Sequence, residues 1–397
     1  MFTKGVGCKL IKIRDRWFVV LFIMTLLFPL YGWCLEANIT LNGVTDNSEI
    51  IEANINNIKD GTYQTYLNDK WENSFWGKKF LLRIRNQSLY SLCKVSPNSN
   101  VVIGKEGYLY EPSYILFEIQ AYPPSSEAYF TSLGENLSQL QKMLNDNGKE
   151  LYVFITPSKA HFYKEYIPGR YSIINNEEAY TYTNYSKLLE TLNNYKIQYY
   201  DSVKFIEENI HSNLLKSPLF YKSGIHWSHA WGENAAAQFL DYMNSCSKYD
   251  FSSINIKEFT ADEAVTPSTD LYLSLNLLLD PKEQWYTTEC TIEKNGNDKP
   301  NIFLRGGSFM GQSLYALIQS GVFGKDVQLE NNYYFTDQYQ FSHTLSSFTS
   351  YEEMDLDTLL GQSDILVLEV NEAFIHTMSW GFIDYLLENP QYLDRIY

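Results

Sequence analysis

From about residue 125, strand patterns alternate with helix patterns, and this alternation constrains the fold more than any other feature of the chain. The stretches ELYVFIT, PNIFL and DILVLEV are nearly continuous apolar runs of strand length. Amphipathic helix patterns flank these runs, as where Leu133, Leu137, Leu140 and Leu144 fall on one face just before the first run. Strands that are apolar on both faces and alternate with such helices predict a mostly parallel sheet between two helical layers, an α/β/α domain.

The N-terminus predicts a membrane anchor. Basic residues between positions 4 and 16 precede an uncharged apolar segment, WFVVLFIMTLLFPLYGWCL, at residues 17–35. A helix of this length can just cross the hydrocarbon core, and a basic flank favours the cytoplasmic side. We therefore predict a cytoplasmic segment and single-pass transmembrane helix over residues 1–36, with the main domain extracytoplasmic. If the segment is instead a signal peptide cleaved near Gly32 and Cys34, the protein is secreted.

The remaining chain divides into three kinds of sequence. Residues 37–95 are predicted to form a stem and a helical lead-in. The main domain is predicted over 96–397 and opens with VVIGKEGYLYE, residues 101–111, which is typical of a hairpin. At about 250–300 the pattern weakens into a stretch rich in Ser, Asp, Asn and Thr, which we interpret as an insertion.

Charge and cysteine spacing exclude several functions. The formal net charge of −16 leaves no basic excess to neutralise phosphates, so nucleic acid is not an expected partner. None of the five cysteines is paired in a C-x-x-C spacing typical of zinc or redox sites. We expect no metal and no nucleotide cofactor.

The segment IFLRGGSFMG suggests how a serine nucleophile is presented. An apolar strand ends in two glycines, and Ser308 follows at the start of a helix pattern. In that position its hydroxyl is exposed, and the backbone N–H groups of Gly307 and Ser308 are candidate oxyanion donors. A serine that only caps a helix has the same local sequence.

A serine near neutral pH needs a base, and histidine is the usual one. His226 is the best placed of the six histidines, because YKSGIHWSHAWG passes from an extended stretch into a helix and so places His226 at a sheet edge. A structural histidine packed beside Trp227 is the alternative interpretation.

Five segments occur in the order of a known family. They are VVIGKEGYLYE, FITPSKAHFYKEYIP, YKSGIHWSHAWGENAA, IFLRGGSF and DILVLEVNE. Together they resemble the alginate O-acetyltransferase AlgX/AlgJ family over about residues 70–397. The resemblance implies an SGNH-hydrolase-like fold, Ser308 as nucleophile and His226 as base. It also implies a polysaccharide acceptor and a multispanning membrane acyltransferase that supplies the acetyl group.

Two positions depart from the family pattern. Where the family has Asp in G-D-S-F and Asp in D-x-H-W, this chain has Gly307 and Gly224. The second Asp fixes the tautomer of the histidine, so either another group orients His226, or activity is reduced, or the site is inactive. Candidates for the orienting or pocket role lie where strands end at the same sheet edge: Glu369, Asn371, Glu372, Ser158 and Lys159. Trp227, next to the histidine, is a further candidate for the pocket.

These observations favour an extracytoplasmic O-acetyltransferase that moves an acetyl group through a Ser308 acyl-enzyme onto a cell-surface or secreted polysaccharide. An acetyl esterase with the same Ser–His pair differs only in using water as acceptor. A non-catalytic glycan-binding or assembly protein is the third possibility. A carboxylate within hydrogen-bond reach of the second ring nitrogen of His226 discriminates catalysis from this last possibility.

Overall fold

A computed structural model describes residues 16–27, 40–43, 50–74, 76–332, 335–340 and 343–394. The chain divides into two compact units. The first contains Met1–Ser99 and Tyr272–Asp280, and the second contains Asn100–Leu271 and Pro281–Tyr397. The segment at about 250–300, interpreted from sequence as one insertion, therefore contributes residues to both units.

The first unit is helical. Its helices are α1 (16–27), α2 (Ile55–Lys59), α3 (Thr62–Ser74) and α4 (Trp76–Ser88), and a π-helical turn follows at Leu89–Cys93. The side chain of Asn54 caps α2 by accepting hydrogen bonds from the N–H groups of Asn56 and Asn57. In α4, the buried Asn86 donates to the carbonyl of Leu275 at 2.9 Å, which ties residues 272–280 to this unit.

The predicted N-terminal anchor is only partly within the described residues. Helix α1 covers residues 16–27, whereas residues 28–35 of the predicted span lie outside them. Across the described residues, no helix has both the length and the apolar composition to cross a membrane. The anchor therefore stays a prediction.

The second unit contains the strands and the remaining helices. In chain order its elements are β1 (Val102–Ile103), β2 (Leu109–Tyr110), α5 (Pro112–Glu118), α6 (Glu127–Asp146), β3 (Glu150–Thr156), α7 (Lys159–Phe162), α8 (Asn184–Asn194), β4 (Tyr199–Asp201), α9 (Ser202–Asn209), α10 (His229–Cys246), β5 (Ser253–Ala261), α11 (Asp270–Ser274, which continues into the first unit), β6 (Trp285–Lys294), β7 (Ile302–Gly306), α12 (Met310–Gln319), β8 (Asp326–Asn332), β9 (Phe335–Gln340), β10 (His343–Phe348), α13 (Leu356–Gly361), β11 (Ile365–Asn371) and α14 (Phe382–Glu388). Short 3₁₀ turns lie at Lys105–Gly107, Lys164–Tyr166, Gly169–Ile174, Glu177–Ala179, Tyr351–Glu353, Ile375–Gly381 and Pro390–Leu393.

The central sheet has seven strands in the order β10-β9-β8-β7-β11-β3-β4. Strands β8, β7, β11, β3 and β4 are parallel, whereas β9 and β10 add in antiparallel orientation. The mostly parallel sheet predicted from sequence is thus confirmed. The hairpin predicted at 101–111 is also confirmed, as β1 pairs antiparallel with β2. The sequence pattern does not predict β8 to β10, because DVQLENN, FTDQYQ and HTLSSF lack continuous apolar runs.

Strand β3 shows how both faces of the sheet are covered. Leu151, Val153 and Ile155 join a buried cluster with the leucines of α6. The alternate residue Phe154 points the other way and contacts Phe239 of α10, with ring centroids 5.0 Å apart. Side chains alternate across a strand, so a strand buried on both faces needs an apolar residue at every position. This explains the unbroken run LYVFI and gives the three predicted layers.

Candidate active site

Ser308 lies just beyond the carboxyl end of β7, at the edge where parallel sheets bind ligands. The strand ends at Gly306, and α12 begins at Met310. The turn between them is closed by the N–H of Met310, which donates to the carbonyl of Gly307 at 3.2 Å. Ser308 itself is exposed. Its hydroxyl is therefore accessible from solvent, as a nucleophile requires.

His226 is within hydrogen-bond distance of Ser308. Its Nε2 atom lies 2.8 Å from Ser308 Oγ, and the imidazole packs against the ring of Phe309 with centroids 4.9 Å apart. The His226 side chain is only 13% exposed, so packing limits its rotation. The nucleophile and base predicted from two distant segments are thus in contact.

Trp227 fixes the segment of His226 against the turn of Ser308. The indole is 1% exposed, and its Nε1–H donates to the carbonyl of Phe309 at 3.1 Å. Trp227 follows the histidine and Phe309 follows the serine, so this single bond links the segments that carry His226 and Ser308. Trp227 is a structural link between the two segments rather than a pocket residue.

The second ring nitrogen of His226 contacts a carboxylate that the sequence analysis did not identify. Asp270 Oδ2 lies 2.6 Å from His226 Nδ1. The other carboxylate oxygen accepts from the N–H groups of Ile225 at 2.9 Å and Leu271 at 2.8 Å. A carboxylate can only accept, so Nδ1 carries the proton and Nε2 is left to accept the proton of Ser308. Asp270, His226 and Ser308 thus form a continuous chain of hydrogen-bond contacts in the order found in acid–base–nucleophile triads.

The span that contains this chain of contacts matches a known family. The family model described as "SGNH hydrolase-like domain, acetyltransferase AlgX" covers residues 101–314. This chain belongs to the AlgX family. A comparison with curated proteins gave no match.

Several solved structures are similar to this AlgX-family protein. The O-acetyltransferase domain of Pseudomonas putida AlgJ has 16% identity and a TM-score of 0.44, with 73% of this chain and 99% of that chain covered. Pseudomonas aeruginosa AlgX has 13% identity and a TM-score of 0.44, with 72% of this chain and 66% of that chain covered. Bacillus cereus PatB1 has 9% identity and a TM-score of 0.45, with 69% of this chain and 96% of that chain covered.

In this AlgX-family member, the space beside Gly224 is already occupied. A Cβ atom at position 224 would lie 2.5 Å from the carbonyl oxygen of Ser268 and 3.4 Å from Asp270 Oδ1. The acid expected two residues before the histidine is thus replaced by one from the 268–270 segment, in nearly the same place. Sequence reasoning missed Asp270 because it lies 44 residues beyond His226 in a stretch without a strong pattern. The signal that could have found it is an acid at the first position of a short helix.

A second carboxylate lies next to Gly307. Glu369, which is 1% exposed in β11, accepts from the N–H of Gly307 at 2.7 Å and from the hydroxyl of Thr156. A Cβ at position 307 would lie 3.7 Å from Glu369 Oε2 and 3.3 Å from the Trp380 ring. Burial raises the pKa of Glu369 to about 7. Carboxylates from elsewhere in the chain therefore lie close to both positions where the family pattern has Asp.

The predicted oxyanion donors need one correction. The N–H of Gly307 is engaged by Glu369 and so is not available to an oxyanion in this arrangement. For the N–H of Ser308, the described part of the chain supplies no acceptor. This N–H and the start of α12 are the remaining sources of positive potential beside the serine hydroxyl.

Glu369, Asn371 and Glu372 lie at the predicted sheet edge but do not orient His226. Glu369 holds the Gly307 turn, and Asn371 donates to the carbonyl of Pro157 at 2.7 Å. Glu372 accepts from the N–H of Ser158 at 2.6 Å. The polar ends of these strands bond to neighbouring loops, because the loops bring their own unpaired N–H and C=O groups to the edge.

Lys159 is not a pocket residue, contrary to one prediction, but holds the loop that leads to His226. It is 1% exposed, and its Nζ donates to the carbonyls of Tyr221 at 2.7 Å, Lys222 at 3.0 Å and Gly224 at 2.6 Å. Burial lowers the pKa of Lys159 to about 7. The three bonds from its Nζ fix the path of the loop. Ser158, in contrast, does line a cleft.

Proposed function

We propose that the protein is an extracytoplasmic O-acetyltransferase that acts through a Ser308 acyl-enzyme on hydroxyl groups of a polysaccharide. The observation that carries the proposal is the Asp270–His226–Ser308 chain, with contacts of 2.6 Å and 2.8 Å. Membership of an acetyltransferase family supports the acetyl group as the one transferred. The apolar segment at residues 17–35 supports export of the domain.

The first half-reaction forms the acyl-enzyme. His226 Nε2 takes the proton of Ser308 as Oγ attacks the acetyl carbonyl, and Asp270 stabilises the resulting imidazolium. The tetrahedral oxyanion forms beside the N–H of Ser308 and the start of α12. Collapse of the intermediate expels the leaving group of the donor, which takes the proton from His226, and leaves acetyl on Ser308.

The second half-reaction transfers the acetyl group to the acceptor. A sugar hydroxyl gives its proton to His226 and attacks the Ser308 ester. Collapse of this second intermediate releases the O-acetylated sugar and returns the proton from His226 to Ser308. Each residue ends in its starting state. We propose that a multispanning membrane acyltransferase supplies the acetyl group outside the cytoplasm.

Intact-mass spectrometry of the purified full-length protein tests this mechanism. After exposure to an activated acetyl ester, we expect a single acetyl adduct that maps to Ser308 and moves onto a soluble oligosaccharide when one is added. Ser308→Ala should form no adduct, whereas Ser172→Ala, a change at another exposed serine, should behave as the native protein. An adduct lost only to water would assign the site to an esterase. Folded protein without any Ser308 adduct would overturn the mechanism.

A further inference from the structure

A second cleft lies at the same edge of the sheet, beyond β3 and β4. It has a volume of about 490 Å³, and its lining includes Ser158 and His161 after β3, Glu207 in α9 and Glu372 after β11. Neither Ser308 nor His226 lines it. Strand β3 is separated from β7 by β11 alone, so the cleft begins roughly 10 Å from the strand that presents the serine.

The cleft carries an excess of carboxylates. Its lining includes Glu118, Glu177, Glu207 and Glu372, and His161 is the one cationic side chain among the residues that form it. His161 Nδ1 lies 2.8 Å from Glu372 Oε2, and its Nε2 lies 4.0 Å from Glu207 Oε1. Lys164 pairs with Glu118 at 3.4 Å and also with Glu177. Burial raises the pKa of Glu118 to about 7, so this carboxyl is only partly charged at neutral pH. The other three carboxylates still outnumber the two cations and leave a negative cleft.

Two residues that line this cleft have a buried polar atom without a hydrogen-bond partner among the described residues. Ser158 is 2% exposed, and its Oγ has no hydrogen-bond partner in the described part of the chain; the same holds for Oε1 of Gln120. Buried polar atoms are almost always satisfied, and an unpaired one in a cleft indicates a ligand or solvent group that completes it. The two residues lie on different loops, and both line the cleft.

Aromatic side chains line one side of the cleft. Tyr122 is 52% exposed, and its ring lies 5.7 Å from that of Phe117. An exposed ring backed by a second ring offers a flat apolar surface, which suits the apolar face of a sugar. Beside it are the hydrogen-bonding side chains of Asn184 and Tyr185.

We propose that this cleft binds the acceptor glycan through sugar residues that carry protonated amino groups, and that it disfavours uronic acids. The inference rests on the proposed function, because it takes the acceptor to be a glycan that continues from the cleft toward Ser308. The excess carboxylates attract an ammonium group and repel a uronate, while the ring of Tyr122 and the unpaired atoms serve the sugar itself.

Calorimetric titration of the full-length Ser308→Ala protein tests the proposal, since binding does not require the nucleophile. The ligands are three oligosaccharides of matched length: a β-1,4-glucosamine oligomer, its fully N-acetylated form and an oligouronate. We expect the amine to bind at least about tenfold more tightly than the neutral form, and the uronate to bind most weakly. Equal binding of all three, or tighter binding of the uronate, would overturn the proposal.

A charge-removing variant locates the binding. Glu207→Gln should reduce amine affinity about tenfold and leave the neutral oligomer nearly unchanged, because Glu207 is 52% exposed toward the cleft and only its charge is removed. Glu190→Gln, at a carboxylate of similar exposure that does not line the cleft, is the matched control and should change neither. An equal loss in both variants would mean general charge attraction and would contradict the cleft.

Acylation of Ser308, measured in parallel by mass spectrometry, separates this inference from the proposed function. If Ser308 acylates but the amine is not preferred, the cleft proposal fails alone. If the amine binds as expected but Ser308 never acylates, the transferase mechanism fails and the glycan site stands.

Discussion

Two histidines of this domain are paired with carboxylates in nearly the same way, yet the pairs are suited to different tasks. His226 Nδ1 lies 2.6 Å from Asp270, and His161 Nδ1 lies 2.8 Å from Glu372. They differ at Nε2, where His226 meets the hydroxyl of Ser308 and His161 faces the carboxylate of Glu207 at 4.0 Å.

The group that faces Nε2 of each histidine decides what the pair can do. Burial would lower the pKa of His161, but its carboxylate neighbours, Glu372 foremost, raise it to about 9, so this imidazole is a cation at neutral pH. A cation cannot accept a proton, and among the described residues His161 makes no hydrogen bond to a hydroxyl or thiol. A histidine–carboxylate contact is therefore weak evidence of catalysis until the group at Nε2 is known.

The largest expected effect comes from removing the charge of one carboxylate. Asp270→Asn should slow Ser308 acylation by about 10³- to 10⁴-fold, because the corresponding change in a serine protease costs about 10⁴ through the wrong tautomer. Glu372→Gln, the same change in the other pair, should alter acylation less than about threefold. Burst kinetics with an activated ester measure both. Equal losses would mean that the two pairs are not functionally distinct.

Moving the acid tests whether its position, rather than its origin in the chain, matters. In an Asp270→Gly background, Gly224→Asp should restore acylation by about 10- to 100-fold, because the two side chains would occupy neighbouring space. In both backgrounds Gly224→Asp should destabilise the fold by about 2 kcal/mol, since its Cβ would meet the Ser268 carbonyl, which the change at position 270 leaves in place. Acylation rates and urea denaturation of the four proteins give the result, and a native-like Gly224→Asp single variant would contradict it.

Lys159 connects the second cleft with the segment of His226. In the sequence it lies between Ser158 and His161, which line the cleft, and its Nζ holds the loop before His226. Lys159→Met should cost about 3 kcal/mol of unfolding free energy by leaving three carbonyls without their donor, and should slow acylation. Lys222→Met, at a lysine that is 41% exposed, is the control and should cost less than about 0.5 kcal/mol. Chemical denaturation distinguishes them.

The carboxylate beside the serine turn should make stability depend on pH in one window. Burial raises the pKa of Glu369 from 4.5 to about 7, so the folded state holds this proton more tightly than the unfolded state. Its contribution is present in full below pH 4.5 and is lost as the pH rises through 7, up to about 3 kcal/mol. Glu369→Gln keeps an acceptor for the N–H of Gly307 but removes the titrating group. In this variant the denaturation midpoint should depend less on pH between pH 4.5 and 7. If the midpoint of the variant depends on pH as much as that of the native protein, Glu369 is not the source of the pH dependence.

The smallest effect concerns His161 and falls in a different window. Its pKa is raised from 6.5 to about 9, so its stabilising contribution is full below pH 6.5 and is lost as the pH rises through 9. Because the side chain is 30% exposed, we expect about 1 kcal/mol rather than the full value of the shift. Denaturation at pH 6 and pH 9.5 should show this loss in the native protein and less of it in Glu372→Gln. A larger loss in the variant would contradict the pairing.

Sequence reasoning recovers the parts of this molecule that carry a strong local pattern. Strands β3, β7 and β11 are nearly continuous apolar runs, and the position of Ser308 is predicted because it follows one of them. His226 was found because it precedes a long helix. In both cases a residue at the end of a well-defined element is placed by the element itself.

The sequence does not predict the roles of the carboxylates Asp270 and Glu369, because the partners of both are set by tertiary contacts. Asp270 comes from a weakly patterned segment, and its role depends on the path of the 268–270 backbone beside Gly224. Glu369 was placed at the correct edge, but a carboxylate that ends a strand has the same sequence whether it is solvated or 1% exposed. Local propensity carries no information on either contact.

The displacement of the acid from position 224 to position 270 matters for how enzymes are sorted from their inactive relatives. A motif search that requires Asp two residues before the histidine and Asp before the serine would classify this chain as a pseudoenzyme. Yet the imidazole has its carboxylate at 2.6 Å, delivered by a segment that such a search treats as a spacer. Searches for degenerate members of hydrolase-like families should therefore score what surrounds the histidine in space, and count an empty motif position as a vacancy only when no other segment fills it.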